Sequence, residues 1–235
     1  VVEGWYGQPY PKPLARTREW VQIFRQIVER KDPVAFEGEH YQLPLQGGTG
    51  LGKPLKLIQH PVREHIPVYL GAEGPKNVAL SAEVCDGWIP MFISPNKMMD
   101  VYQDAMAIRT PQFEIAAAVP VIIDDDVDRA LGQIKQQVGF YVGGMGAKSF
   151  NVHKDHVTRF GYGEAADKIQ DLFMSGQRDQ AIAAVPDELA DEIALVGPKE
   201  RIRERLQAWK DSPVTQLNVG SADPATLRFM AEELL

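Results

Sequence analysis

Apolar positions along the chain follow two rhythms, and the alternation between them predicts the architecture. Four short runs rich in β-branched and aromatic residues read as buried strands: Ile66–Leu70 (IPVYL), Trp88–Ile93, Phe113–Ile123 (FEIAAAVPVII) and Thr215–Gly220. Pro120 in the third run cannot donate to a strand ladder and predicts a kink or bulge. Each run is followed by helical spacing. Lys76 to Val84 carries Val78, Ala79, Leu80, Ala82 and Val84. Lys97 to Ile108 follows Ser94-Pro95-Asn96, read as its cap, and Val127 to Tyr141 follows Asp124, Asp125 and Asp126, whose charge suits a helix N-terminus. A last helix is capped by Asp223, has Pro224 at its first position and ends at Leu235.

The flanking segments read similarly. Glu3 to Gly7 is expected as a loop, and Gln8 to Pro13, with three prolines, as extended chain. Leu14 to Arg30 is an amphipathic helix stopped by Asp32-Pro33. Val34–Phe36 and His40–Leu43 flank Glu37-Gly38-Glu39 as a β-hairpin. Gln46 to Gly52 (QGGTGLG) is a flexible loop, and Pro54 to Gln59 a short extended piece. His153 to Ser175 is expected as a helix interrupted near Gly161 and Gly163, with Gln177–Val185 and a segment from Pro186 as further helices. Leu195 to Pro198 reads as a turn and Lys199 to Lys210 as a strong helix.

Strands alternating with helices demand a parallel sheet. A closed (β/α)8 barrel takes about 250 residues and eight such units. Four units plus a helical insertion over 142–198 predict an α/β fold of the TIM type, a partial barrel forming a single domain over 1–235. Such a half-barrel is expected to present open edges and an apolar inner face, which favour aggregation or dimerisation.

Composition narrows the function. Of 235 residues 44% are hydrophobic, enough for a packed core, and the net charge of −7 argues against nucleic acid or an anionic membrane as main partner. The single Cys85 cannot form an internal disulfide, and no apolar run approaches the roughly 18–20 residues of a membrane span, which together suit a cytoplasmic protein. The chain opens Val1-Val2-Glu3 without an initiator Met and with no signal peptide, so it reads as a piece of a longer protein.

The chemistry concentrates after the first strand. Gly71, Ala72, Glu73, Gly74 and Pro75 make a tight strand-to-helix connection of small residues, with Lys76 behind it. Such a turn leaves backbone N–H groups free at the start of a helix dipole, where phosphate binds. A plain tight βα turn would carry the same glycines, so spacing alone leaves both readings open.

This stretch, IPVYLGAEGPKNVALSAEVCDGW, with EGWYGQPYPKPLARTREW, FEGEHYQLP and GGTGLGKPLKLI, resembles the luciferase-like monooxygenase superfamily, and most closely its branch dependent on the deazaflavin coenzyme F420. The resemblance is specific over the first hundred residues and weaker between about 140 and 200. It implies a closed barrel of which this chain is the C-terminal two-thirds, lacking the first four βα units. It implies hydride transfer between coenzyme F420 and a small organic substrate, with an FMN-dependent monooxygenase as the alternative and an inactive half-barrel that pairs with another chain as the third. It implies the cofactor phosphate on Gly71, Ala72, Glu73, Gly74, Pro75 and Lys76, and a substrate pocket with Trp5, Tyr6, Met91, Phe92 and Ser94 at one mouth. Asn218 and Ser221 at the last strand's end are further candidates, catalytic residues are not assigned, and the full-length form is expected to be a homodimer. A lysine that the superfamily's sugar-phosphate dehydrogenases place near the second strand's end is matched here only by the more distant Lys97.

The remaining features point to structure. His153 and His156, spaced i,i+3, lack a third ligand for a metal. QGGTGLG lacks the preceding strand and following helix of a dinucleotide loop, Asp124 to Asp126 are a helix-end charge cluster, and Cys85 reads as core.

Overall fold

The computed structural model describes residues 2–235. Along the chain run α1 (Val2–Trp5), α2 (Pro13–Glu29), β1 (Phe36–Glu37), β2 (Gln42–Leu43), β3 (Tyr69–Gly71), α3 (Pro75–Val84), β4 (Gly87–Ile89), α4 (Met98–Met106), β5 (Glu114–Ile123) and α5 (Val127–Gly144). There follow α6 (Val152–Val157), a π-helical segment Thr158–Tyr162, α7 (Gly163–Met174), α8 (Arg178–Ala183), α9 (Asp187–Glu192), β6 (Leu195–Gly197), α10 (Lys199–Asp211), β7 (Gln216–Gly220) and α11 (Pro224–Leu234). β1 and β2 form the expected antiparallel hairpin. No helix among the described residues is long and apolar enough to cross a membrane.

Among the described residues the main sheet has five strands, all pairing in parallel, and does not close. β5 is its hub. It pairs with β4 through Glu114 and Ile115, with β7 through Ala116 to Pro120, and with β6 through Val121 to Ile123. Two predicted helix starts are seen in detail: the Asp126 carboxylate accepts from the Arg129 N–H, and the Asp223 carboxylate accepts from the Ala225 and Thr226 N–H groups.

Two apolar cores result. One lies between the sheet and its helices and contains Trp88, Tyr102, Ile115, Val119, Ile202 and Phe229; the other joins α5 to α7, α8 and α9 through Ile134, Val138, Ile169 and Leu189. Full burial of such side chains contributes about 1.5–3 kcal/mol each before entropy is counted. The helical run after α5 kinks where expected: Gly161, at φ 95°, occupies a conformation that side-chain-bearing residues avoid.

Four expectations need correction. Leu195–Gly197, read as a turn, is β6; three residues ending in Gly-Pro carry too little pattern to show a strand, and their ladder partner is the far end of β5. The segment around Trp5, read as a loop, holds the single-turn α1. Ser94 does not cap α4 with its side chain; its carbonyl accepts from the Lys97 and Met98 N–H groups while its hydroxyl is buried without a partner. The open face of the sheet is also mixed rather than wholly apolar. Period-2 alternation turns Trp88, Ile115, Val119 and Val121 to the helices, leaving apolar Tyr69, Ile89, Ala116 and Ala118 together with Glu114, Gln216 and Asn218 on the other side. There the Gln216 side-chain amide donates to the Glu114 carboxylate at 2.9 Å.

Candidate functional site at the strand carboxyl ends

The turn from β3 to α3 is built to expose amides. Pro75 opens α3, its ring presetting the helical φ, and Gly74 stands before it in extended conformation with no side-chain cap. The Gly74 carbonyl accepts from the Asn77 and Val78 N–H groups at 2.8 and 2.9 Å. The other two carbonyls of the turn face inward: the Trp88 indole N–H donates to the Ala72 carbonyl at 2.8 Å, and the Tyr102 hydroxyl lies 2.7 Å from the Glu73 carbonyl. Both aromatic residues are fully buried. Among the described residues the N–H groups of Ala72, Glu73, Gly74 and Lys76 find no acceptor. A Cβ placed on Gly71 or Gly74 would meet no atom within 4 Å, so a ligand has open approach to the backbone.

Beside this turn lies a cavity of about 420 Å³, walled by Gly71 to Gly74 on one side and by Met91, Ala118 and His153 on others. A smaller one of about 180 Å³ shares Met91 and Ala118 with it and adds Phe92, Gln137 and Gly220. A third of about 580 Å³ shares Gln137 and Gly220 and reaches Gln133, Ser221 and Asp223. The three form one trough across the carboxyl ends of β3, β4, β5 and β7, where barrel proteins place their chemistry. A separate cavity of about 800 Å³ is apolar, lies between α2, β2 and residues 52–59, and shares no wall with the trough.

Titratable groups sit close behind the turn. His153 Nδ1 lies 2.8 Å from a Glu73 carboxylate oxygen, with the two side chains 14% and 9% exposed. The second Glu73 oxygen is buried and has no partner among the described residues. His156 is fully buried; its Nε2 lies 3.0 Å from the Phe92 carbonyl, which can only accept, so Nε2 carries the proton. Its Nδ1 lies 2.8 Å from the Tyr102 hydroxyl, whose single hydrogen is therefore shared between His156 and the Glu73 carbonyl. Burial pushes the His156 pKa down and the Tyr102 pKa up, keeping both groups neutral.

The structure gathers some of the sequence candidates and scatters others. Gly71, Ala72, Glu73, Gly74 and Met91 share one cavity. Pro75 is the first residue of α3, and Lys76 is exposed outside the cavity wall. Phe92 is buried at φ 53°, a strained conformation, and lines the small middle cavity. Ser94 is fully buried below the trough because its carbonyl starts α4. Trp5 and Tyr6, 84% and 68% exposed, line none of the three cavities, since α1 buries no residue against the sheet. Ser221 borders the third cavity, whereas the Asn218 amide turns to the Ala116 carbonyl at 3.4 Å. Lys97 reaches Glu192 and the Tyr162 hydroxyl, and the Glu192 bond raises its pKa. His153 and His156 point to different partners and do not converge on one point. Burial raises the Cys85 thiol pKa, which disfavours the thiolate. Tyr102 and Gln137 carried no sequence signal, because each becomes part of the site only through contacts with distant segments.

An open parallel sheet whose strand carboxyl ends line one trough places the chain in the TIM-barrel class. The model of the luciferase-like monooxygenase family matches residues 1–216, and the chain belongs to that family. A Mycobacterium tuberculosis protein assigned as a coenzyme F420-dependent oxidoreductase is 46% identical over 242 residues, covering 98% of this chain and 70% of its own length. The 5,10-methylenetetrahydromethanopterin reductase of Archaeoglobus fulgidus is 29% identical over 223 residues, 92% of this chain and 62% of its own. Among solved structures, the coenzyme F420-dependent tetrahydromethanopterin reductase of Methanopyrus kandleri superposes with a TM-score of 0.66 at 23% identity, over 94% of this chain and 62% of that one. An F420-dependent secondary alcohol dehydrogenase bound to an F420-acetone adduct gives 0.67 at 17% identity, over 97% and 62%. These likenesses establish the fold as a luciferase-like partial barrel, and the chain spans between 62% and 70% of these relatives.

Proposed function

We propose that this chain carries the phosphate-anchoring half of a coenzyme F420-dependent oxidoreductase. One observation carries the reading: four unpaired amides at the β3–α3 turn, whose carbonyls are held away by Trp88 and Tyr102. The 46% identical relative supports F420 as the bound group. When bound, the deazaflavin supplies the hydride chemistry, and the protein supplies anchoring, orientation and exclusion of water.

In this reading the amides of Ala72, Glu73, Gly74 and Lys76 bind the anionic tail, and the α3 dipole adds to the attraction. The open space beyond Gly71 and Gly74 admits the tail to hydrogen-bond distance of the backbone. Met91, Phe92 and Ala118 give the middle of the trough an apolar floor. Gln133, Gln137 and Ser221 offer the polar groups that orient a small organic substrate beyond it. Homodimer formation and a cytoplasmic setting belong to the same proposal.

The test is a titration of the purified chain with coenzyme F420 and with FMN, read by deazaflavin and flavin fluorescence. The expected result is saturable binding of F420 and weaker binding of FMN. Preference for FMN would favour an oxygen-using monooxygenase, because a 5-deaza ring reacts poorly with oxygen. No saturation by either would overturn the reading.

A further inference from the structure

We infer that His153 is a direct ligand of the anionic group held at the β3–α3 turn, reaching it from the helical segment that follows α5; this rests on the reading of the turn given above. The turn poses a problem. An anion site has a buried carboxylate, Glu73, within its own backbone, its side chain 9% exposed and one oxygen without any partner. A bare carboxylate there would repel phosphate. The group that offsets it is His153, whose Nδ1 sits 2.8 Å from the other Glu73 oxygen.

The ring is held on several sides. Asn151 caps α6, accepting from the His153 and Lys154 N–H groups at 3.0 and 3.1 Å, which fixes the backbone. The Tyr141 ring meets the imidazole edge to face, with centroids 4.9 Å apart, and Phe92 lies at 6.4 Å. With Nδ1 committed to a carboxylate, the tautomer is set. Nε2 has no partner among the described residues, and the ring borders the same cavity as Gly71 to Gly74. Lys76, the cation nearest in sequence, is exposed and outside that cavity. The geometry therefore resembles a carboxylate–imidazole pair whose outer nitrogen faces the cavity. In the complex the ring is an imidazolium, its second proton taken from solvent, donating from Nδ1 to Glu73 and from Nε2 to the phosphate. One side chain thus links occupancy of the turn to the helices over the trough.

The test compares His153→Gln, Glu73→Gln and the double variant E73Q/H153Q with the parent chain. The probes are coenzyme F420 and the same deazaflavin lacking its phosphodiester tail, both followed by fluorescence, with thermal melts alongside. The double variant has no unpaired buried carboxylate and the same net charge at the turn as an ion pair, so it folds where His153→Gln alone fails. The expected result is a loss of F420 affinity of about tenfold or more in His153→Gln against the parent, and in E73Q/H153Q against Glu73→Gln alone. The tail-less compound is expected to bind the parent and every variant equally. F420 affinity of E73Q/H153Q within twofold of that of Glu73→Gln would overturn the inference and leave the turn's role intact, His153 then being only a clasp between α6 and the turn. Failure of the parent itself to distinguish F420 from the tail-less compound would overturn both.

Discussion

The Trp88 indole N–H donates to the Ala72 carbonyl across 16 positions of sequence, at 2.8 Å, from a ring with no solvent exposure. This bond orients the β3–α3 turn: with its carbonyl tied into the core, the peptide that follows Ala72 presents its N–H outward. Ring packing and donor function can be separated. Trp88→Phe keeps an aromatic ring and strands the Ala72 carbonyl, so it is expected to cost about 1–3 kcal/mol for the unpaired acceptor, plus a cavity cost. Urea unfolding measures this. F420 affinity is expected to fall in the same variant, although Trp88 lines none of the trough's three cavities.

Gly74→Leu separates the site from the fold in the opposite sense. The backbone at Gly74 is extended, and the space beyond its Cα is open. The substitution is expected to destabilise by about 0.5–2 kcal/mol, the scale of an N-cap exchange. Its side chain fills the space through which a phosphate approaches, so F420 binding is expected to be lost. Retained binding would place the anion elsewhere.

His156 predicts a stability slope in mildly acidic solution. Burial lowers its pKa in the folded chain, whereas the unfolded chain keeps a value near ~6.5. As pH falls below that value the unfolded state takes up a proton that the folded state refuses, so stability falls. The contribution is complete above ~6.5, and one group changes it by at most about 1.4 kcal/mol per pH unit. Urea midpoints between pH 5 and 8 read the slope, and His156→Gln, which can still donate to the Phe92 carbonyl, is expected to flatten it.

Asp86 governs a lower window. Burial alone would raise its carboxyl pKa, but the Val68 N–H at 2.8 Å, Arg25 at 2.9 Å and His65 at 2.7 Å outweigh burial and hold it below the usual range. The unfolded carboxyl titrates near ~4, so this contribution is present above that pH and is lost as pH falls through the lower folded value. Asp86→Asn is expected to destabilise at pH 7 by about 1–3 kcal/mol and to lose this acid limb while leaving the His156 slope.

The strand–helix alternation was legible because β5 and the helices α2, α5 and α10 carry strong periodic patterns. The tight β3–α3 turn was legible because glycine and proline state backbone geometry directly. What holds that turn was not. Glu73 and His153 stand 80 positions apart, and Tyr102 and His156 stand 54 apart, so no local pattern links them. Trp5 and Tyr6 show the converse: aromatic residues in a suggestive position, which pack against none of the trough. β6 escaped because its three residues become a strand only through hydrogen bonds to β5.

β5 receives three neighbours at successive heights, with Ala118 and Pro120 in the trough and Val121 to Ile123 bound to β6. The base of the pocket and the helices above it are thereby threaded on a single peptide segment. Displacing that segment by one residue would dislocate both together.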